Sequence, residues 1–148
     1  MKILALNSSP RPEKMSKTTQ MLNALVKGMH GCGADVETVF LYKKNIKPCI
    51  ACDVCTTKTP GQCILMDDMS QELYDKWINA DLVVYASPLY HSSLNSKLKT
   101  FIERTYPILD PIFYLQNENV SFSFRKKHPH VVVLSVGAFP NMTNFDPV

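Results

Sequence analysis

Short apolar segments alternate with amphipathic segments along the chain, and this alternation is the feature that most constrains its fold. Lys2–Leu6, Asp35–Leu41, Leu82–Ala86 and Val131–Val136 have the length and apolar content of buried strands. The intervening segments space their apolar residues three or four positions apart, as helices do. Strands that alternate with helices predict a parallel sheet with right-handed crossovers, which is an α/β fold.

Three helices are predicted between these strands, over Thr18–His30, Met69–Asn79 and Ser93–Tyr106. Two aspartates precede the second helix, where acidic side chains suit the positive end of the helix dipole. The last connection, Pro107–His130, is rich in aromatic residues and prolines. Connections of this length in compact domains are usually functional or interfacial, so we expect one of these roles for it.

Length and charge limit the class of protein. A chain of 148 residues with 45% hydrophobic content is expected to form one domain with a real core, over residues 1–148. The net charge is only +3 and the densest basic run, Arg125–His128, is short, so no nucleic-acid partner is expected. The apolar start is too short for a signal peptide, and no segment approaches the length of a membrane span. We therefore expect a cytoplasmic protein with no membrane partner.

Four of the five cysteines follow the spacing C-x2-C-x2-C-x7-C. Cytoplasmic thiols stay reduced, so this cluster favours metal or redox chemistry over structural disulfides. Three interpretations remain open: an iron–sulfur cluster, whose ligands often lie at two-residue gaps; a zinc ion; or no metal at all. Cys32 is predicted to lie outside the set. The candidate metal ligands are Cys49, Cys52, Cys55 and Cys63.

A polar segment after the first predicted strand has the properties of an anion-binding loop. In open parallel sheets, ligands bind beyond the carboxyl ends of the strands, and a helix N-terminus there offers free N–H groups. The segment lacks the glycine patterns of dinucleotide-binding and nucleoside-triphosphate-binding loops, which disfavours both classes. Simple helix capping by Ser16 or Thr18 remains an alternative. The residues that supply hydroxyls and positive charge are Ser9, Arg11, Ser16, Lys17 and Thr18.

Several segments, in the same order along the chain, resemble the flavodoxin-like NAD(P)H-dependent FMN reductase family. The cysteine segment and the Asp67–Met69 sequence after it resemble the iron–sulfur flavoprotein branch of that family. The similarity covers nearly the whole chain. The segments that carry it are Ile3–Arg11, Ile46–Met69, Ala80–Tyr90, Lys99–Arg104 and Val136–Pro140.

This resemblance implies a doubly wound parallel sheet with strand order 2-1-3-4-5. It also implies that the FMN phosphate binds at the Ser9–Thr18 loop named above. The flavin ring would then lie against a predicted loop, Ser87–Tyr90, and a further ring edge would meet the end of the fourth strand. Taken alone, His91 is better explained as an ordinary exposed histidine. The implied ring-binding residues are Pro88, Leu89, Tyr90, His91, Gly137 and Ala138.

The implied function is an oxidoreductase that passes electrons from NADH or NADPH through FMN to a small-molecule or protein acceptor. The resemblance makes a 4Fe–4S cluster on the four cysteines one candidate, but the seven-residue gap before Cys63 is longer than in the cluster-binding pattern, so zinc and no metal stay open as alternatives. A homodimer is expected from family habit. No side chain need act as an acid or a base, because the flavin supplies the chemistry. Two other classes remain: an electron carrier of the same fold without nicotinamide binding, and a zinc-stabilised binding module without flavin.

The end of the chain departs from the pattern of this family. The chain stops at Val148, shortly after the fourth predicted strand, so the fifth strand and the last helix are expected to be missing. The domain would then be shortened at its C-terminus. Val131–Leu134 would form an apolar edge strand, and such edges are prone to aggregation.

Overall fold

The computed structural model of the chain describes residues 1–116 and 119–138, with side chains described outside 111–122. Seven strands and three α-helices occur in these residues. A π-helical segment, Met69–Leu73, leads directly into the second α-helix. The strands are β1 Lys2–Asn7, β2 Asp35–Phe40, β3 Leu82–Tyr90, β4 Ser93–Leu94, β5 Leu109–Gln116, β6 Asn119–Phe124 and β7 His130–Val136; the helices are α1 Lys17–Gly31, α2 Tyr74–Ile78 and α3 Ser96–Glu103.

A parallel sheet in the order β2–β1–β3–β7 forms the centre of the fold. Ile3 lies opposite Val36 on one side and Leu82 on the other, and Leu82 lies opposite His130. This is the order predicted for the first four strands of a flavodoxin-like sheet. The inner strands each contain a continuous apolar run, Ile3–Leu6 in β1 and Leu82–Ala86 in β3, which suits strands covered by helices on both faces.

The core lies in two layers, one on each face of the sheet. On one face, Trp77 and Phe101 are fully buried against β1 and β3. On the other face, Leu22 of α1 packs with Ile3 and Val84. The segments with helical periodicity therefore cover the sheet as predicted. None of the helices in the described ranges combines the length and the apolar character needed to cross a membrane.

A buried hydrogen bond joins α2 to β3 on the Trp77 face of the sheet. The Trp77 Nε1–H donates to Tyr85 Oη over 2.9 Å. Burial, opposed in part by this hydrogen bond, raises the pKa of Tyr85 to about 12. Tyr85 therefore stays neutral throughout the physiological pH range and remains a constant acceptor for the indole.

Tyr85→Phe should lower the free energy of unfolding by about 1–3 kcal/mol, because it leaves the buried indole N–H without an acceptor. Urea denaturation measures the change. Tyr42→Phe is the matched control, since the Tyr42 side chain is exposed, and it should change the value by less than about 0.5 kcal/mol. Equal losses in the two variants would contradict the assigned role of the hydrogen bond.

The prediction of a loop at Ser87–Tyr90 is wrong. These residues extend β3, because Leu89 and Tyr90 pair antiparallel with Leu94 and Ser93 of β4. The third helix consequently begins at Ser96 instead of Ser93.

The Pro107–His130 connection also has regular structure. Its residues form the β5–β6 pair, a two-stranded antiparallel sheet separate from the central one. Two paired strands account for the aromatic content of so long a connection, since aromatic residues suit strands.

Strand β7 has an apolar open edge in the described part of the chain. Within residues 1–116 and 119–138 it pairs with β3 alone, and Val131, Val132 and Val133 are 41%, 40% and 55% exposed. The apolar edge predicted from the sequence is therefore present in this part. The last ten residues, where a fifth strand was predicted to be missing, lie outside the described ranges.

Candidate functional site

Three of the predicted site segments meet at one edge of the sheet. Asn7, at the end of β1, lies opposite Ala86 of β3, and Pro88 lies opposite Val136 at the end of β7. The anion-loop candidate follows β1, the ring-segment candidate ends β3, and Gly137 follows β7. This edge is formed by the carboxyl ends of parallel strands, where ligands bind in open α/β sheets.

Ser16 caps α1 and fixes the shape of the segment after β1. Its Oγ accepts a hydrogen bond from the Thr19 N–H at 3.1 Å and donates to Ser9 Oγ at 2.8 Å. Asn7 contributes from the strand end, where its side chain accepts from the Ser9 N–H and donates to Thr19 Oγ1. The capping interpretation of Ser16 is confirmed.

The other residues of this segment surround the start of α1. Thr18 is buried, whereas Arg11 and Lys17 are exposed and carry their charges in solvent. The N–H groups of Lys17 and Thr18 lie in the first turn, where a helix offers no internal acceptor. Capping and anion binding are thus compatible, because the cap uses the Thr19 N–H and leaves the first N–H groups available.

Asn95 holds this segment against β3 and α3, a role that the sequence analysis missed. It is 1% exposed, and its Nδ2–H group donates to the Ser8 carbonyl oxygen. Its N–H donates to Ser87 Oγ over 3.0 Å, and its Oδ1 accepts from the Leu98 N–H as the N-cap of α3. The sequence signal was an asparagine just before an apolar helical pattern, which is typical of an N-cap.

The ring-segment candidates lie in a β-hairpin. Strands β3 and β4 are joined by a two-residue turn whose central residues, His91 and Ser92, have φ values of 48° and 57°. Positive φ at both positions defines the turn that matches the twist of a tight hairpin, which normally contains Asn-Gly. Tyr90 and His91 are exposed beside this turn. The hairpin therefore presents these two side chains to solvent at the candidate edge.

Ser92→Gly should raise the free energy of unfolding by about 1 kcal/mol, because glycine adopts a left-handed conformation without the Cβ penalty. Thermal and urea denaturation both measure this change. Ser93→Gly, one residue further in β4, is the control and should lower stability by about 0.5–1 kcal/mol. Changes of the same sign in the two variants would contradict the turn assignment.

All four clustered cysteines line one cavity of about 200 Å³, together with Tyr106. Cys49 and Cys52 are exposed, and the other two are half-buried. Burial and then the proximity of Cys63 raise the pKa of Cys55, with smaller contributions from Cys49 and Cys52 and an opposing backbone hydrogen bond. Cys32 lies at the end of α1 and is not part of this cavity wall.

The backbone around Cys52 is in an unusual conformation. Ala51 and Asp53, on either side of it, have φ values of 49° and 55°, which is the left-handed region. The Ala51 N–H donates to Cys49 Sγ at 3.5 Å. A left-handed residue on each side of a cysteine reverses the chain locally, and this brings successive thiols to the same cavity.

A buried ion pair closes the base of this cysteine loop. Arg104 Nη1 and Nη2 donate to the two carboxylate oxygens of Asp67 at 2.6 and 3.0 Å, and both side chains are at most 1% exposed. Arg104 also donates to the carbonyl oxygens of Lys47 and Leu65, which flank the loop. The guanidinium therefore joins both ends of the segment that carries the cysteines.

Electrostatics stabilise the ion pair in its charged form. Burial acts to raise the pKa of Asp67, but hydrogen bonds from Arg104, the Lys47 N–H and the Ser70 N–H outweigh it and hold this pKa below its ordinary value. Burial acts to lower the pKa of Arg104, and Asp67 and Cys63 raise it above the ordinary value. Sequence analysis assigned the two aspartates before the second helix only to its dipole and missed this pairing.

No group of three or more His, Cys, Asp or Glu side chains in the described ranges is arranged to hold a metal ion. The four cysteines share a cavity wall without being gathered as ligands. Their role in metal binding therefore stays a prediction.

Fold and site together define the chain as a flavodoxin-like α/β protein. The family model for NADPH-dependent FMN reductases matches residues 1–138, and the chain belongs to that family. Among solved structures, the fold is similar to an NAD(P)H:quinone oxidoreductase from Methanothermobacter marburgensis, with a TM-score of 0.75, 18% identity, and coverage of 99% of this chain and 71% of that one. An azoreductase from Bacillus anthracis gives a TM-score of 0.66 at 16% identity, covering 92% of this chain and 68% of that one.

Sequence relatives named iron–sulfur flavoproteins confirm the resemblance to that branch of the family. An iron–sulfur flavoprotein of Archaeoglobus fulgidus is 36% identical over 107 residues, which cover 72% of this chain and 46% of that protein. One from Methanocaldococcus jannaschii is 32% identical over 108 residues, which cover 73% of this chain and 53% of that protein. The chain thus spans about half the length of these relatives.

Proposed function

We propose that the chain is an FMN-dependent oxidoreductase that takes electrons from NADH or NADPH. The observation that carries this proposal is the convergence of three segments at the carboxyl edge of the sheet: the start of α1, the β3–β4 hairpin and the residues after β7. Membership of the FMN reductase family supports the same conclusion.

The residues at this edge fit FMN. In the proposal, the hydroxyls and first-turn N–H groups at the start of α1 bind the phosphate, assisted by the charges of Arg11 and Lys17. FMN, when bound, supplies the electron-transfer chemistry, and the protein orients it. The hairpin segment Pro88–His91 and the pair Gly137–Ala138 would contact the ring. Among the residues proposed to bind the phosphate, Ser9, Ser16 and Thr18 are the ones that have hydroxyl groups.

We further propose that the cysteine loop holds a 4Fe–4S cluster. Two observations support this assignment: all four thiols line one cavity, and the relatives described above are named iron–sulfur flavoproteins. The acceptor would then be a one-electron redox protein; without a cluster, a small molecule is the better candidate. A homodimer is part of the same proposal, since FMN sites in such folds are often covered by a neighbouring subunit.

The first experiment is a visible spectrum of anaerobically purified protein, with FMN, iron, acid-labile sulfide and zinc assayed on the same sample. Flavin bands that NADH or NADPH bleaches would support the oxidoreductase, and about four irons per chain would support the cluster. Flavin that neither nucleotide bleaches would favour the electron carrier. A colourless protein with stoichiometric zinc would overturn both proposals.

Charge removal tests the phosphate end of the proposed FMN site. Arg11→Gln combined with Lys17→Gln should weaken FMN binding to the flavin-free protein by about tenfold or more, because both cations lie at the proposed phosphate position. Lys27→Gln, an exposed change further along α1, is the matched control and should leave the affinity unchanged. Unchanged affinity in the double variant would place the phosphate elsewhere.

A further inference from the structure

A second and larger cavity lies beside the cysteine loop. Its volume is about 530 Å³, which is within the range of small-molecule sites, about 300–1,000 Å³. Cys63 lines both this cavity and the smaller cysteine cavity. None of the residues assigned to FMN lines it.

The floor of this cavity is apolar and consists of side chains that belong to the core. Met69, Ile78 and Ile108 line it, and all three are buried in the large core cluster on the Trp77 face. Pro107 and Tyr74 extend the same surface. Such a floor favours an apolar or aromatic ligand body, since burial of apolar area contributes about 25 cal/mol per Å².

Arg104, which lines the cavity, contains an unused hydrogen-bond donor. Among the described side chains, Arg104 Nε is the only buried nitrogen or oxygen without a hydrogen-bond partner. The other two guanidinium nitrogens of Arg104 are occupied by Asp67 and by two carbonyl oxygens. An unpaired buried donor on a charged group is costly, so a ligand acceptor that reached it would relieve this penalty.

The mouth of the cavity is cationic. Arg125 and Lys126 line it and are exposed, and neither side chain forms a hydrogen bond or ion pair with a described residue. The Arg125 stem lies across Gly61 of the cysteine loop, 3.7 Å from where a Cβ would be. Asp75 is the only acidic residue among the described lining residues, and the charge of Arg104 is balanced by Asp67. The mouth therefore carries an excess positive charge.

From this combination we infer that the cavity binds a small organic anion: a carboxylate carried on an aromatic or other apolar body. The body packs on the buried floor, and the carboxylate lies at the mouth beside Arg125 and Lys126. The site is separate from the proposed FMN site, and it would place its ligand against the wall that contains Cys63. The inference does not require that FMN or a cluster be present.

Titration calorimetry with two probes of the same shape tests this inference. Naphthalene-2-carboxylate should bind to the purified protein, and neutral naphthalene-2-carboxamide should bind at least about tenfold more weakly. Arg125→Gln and Lys126→Gln should each weaken carboxylate binding by about fivefold, and added salt should do the same. Lys27→Gln is the matched control; it lies on α1, which covers the opposite face of the sheet, and should have no effect.

Three results would overturn the inference. They are the absence of carboxylate binding at millimolar concentration, equal affinity for the two probes, and carboxylate binding that survives loss of both Arg125 and Lys126. Because both side chains are exposed, these variants should keep the wild-type midpoint of unfolding. The FMN content, measured on the same samples, should also be unchanged, so failure of this site and failure of the FMN proposal are distinguishable.

Discussion

Arg104→Leu should lower the free energy of unfolding by about 3–5 kcal/mol, because it leaves the Asp67 carboxylate buried without its counter-ion. The same substitution removes the donors that hold the Lys47 and Leu65 carbonyl oxygens at the base of the cysteine loop. Urea denaturation measures the loss. Lys99→Leu is the control: its ion pair with Glu103 is exposed and 3.7 Å long, so its loss should cost less than about 0.5 kcal/mol.

The pH dependence gives this prediction a second readout. The pKa of Asp67 is lowered in the folded protein, so its ionised form stabilises the fold above the ordinary pKa of an aspartate, and that contribution is lost as the pH falls through the lowered value. In the leucine variant, burial still acts to raise the pKa of Asp67 and the lowering effect of Arg104 is gone, so this pKa moves upward even though the hydrogen bonds from the Lys47 and Ser70 N–H groups remain. The stability difference between the two proteins should therefore narrow below about pH 4. A difference that is constant down to strong acid would contradict the assigned charge pairing.

Cys55→Ser should reduce the iron content of anaerobically purified protein from about four per chain to less than about half an iron, if the proposed cluster forms. Cys55 is half-buried among the other thiols, so serine would remove a ligand with little change of shape. FMN content should be unaffected, because the proposed flavin residues follow other strands. Iron, sulfide and flavin assays on one sample measure all three quantities.

Cys32→Ser is the control for this experiment, since Cys32 lies at the end of α1 and outside the cysteine cavity. It should retain full iron content. Equal iron in both cysteine variants, or wild-type protein without iron, would exclude the four-cysteine cluster. If the wild type and Cys32→Ser each contain one zinc per chain and Cys55→Ser contains none, the zinc interpretation would be supported instead.

The sheet could be predicted from the sequence because buried parallel strands are continuous apolar runs. Lys2–Leu6 and Leu82–Ala86 have this pattern, and both runs are shorter than an ordinary helix. The extension of β3 to Tyr90 could not be predicted in this way. It depends on pairing with Ser93 and Leu94 through a His-Ser turn, which lacks the Asn-Gly signal of such hairpins.

In the candidate site, too, local contacts could be predicted from the sequence and long-range contacts could not. Capping by Ser16 could be predicted because its partner, Thr19, is three residues away. The long-range contacts of Arg104 and Asn95 could not be identified, since Arg104 pairs with Asp67 in a different segment and Asn95 bonds to Ser8 near the N-terminus. Contacts between residues far apart in sequence arise only when the sheet has formed, and single-sequence patterns do not contain them.

The central position of β3 sets the order in which the sheet can assemble during synthesis. The first βαβ unit, β1 and β2 with α1 between them, can form early, but the second side of β1 stays unpaired until Leu82 and its neighbours are made. On its other side, β3 pairs over Leu82–Pro88 with β7, whose first residue, His130, is made much later. A nascent chain that stalls before β7 is made therefore exposes the apolar edge of β3. At that stage, binding by a chaperone would do most to prevent aggregation.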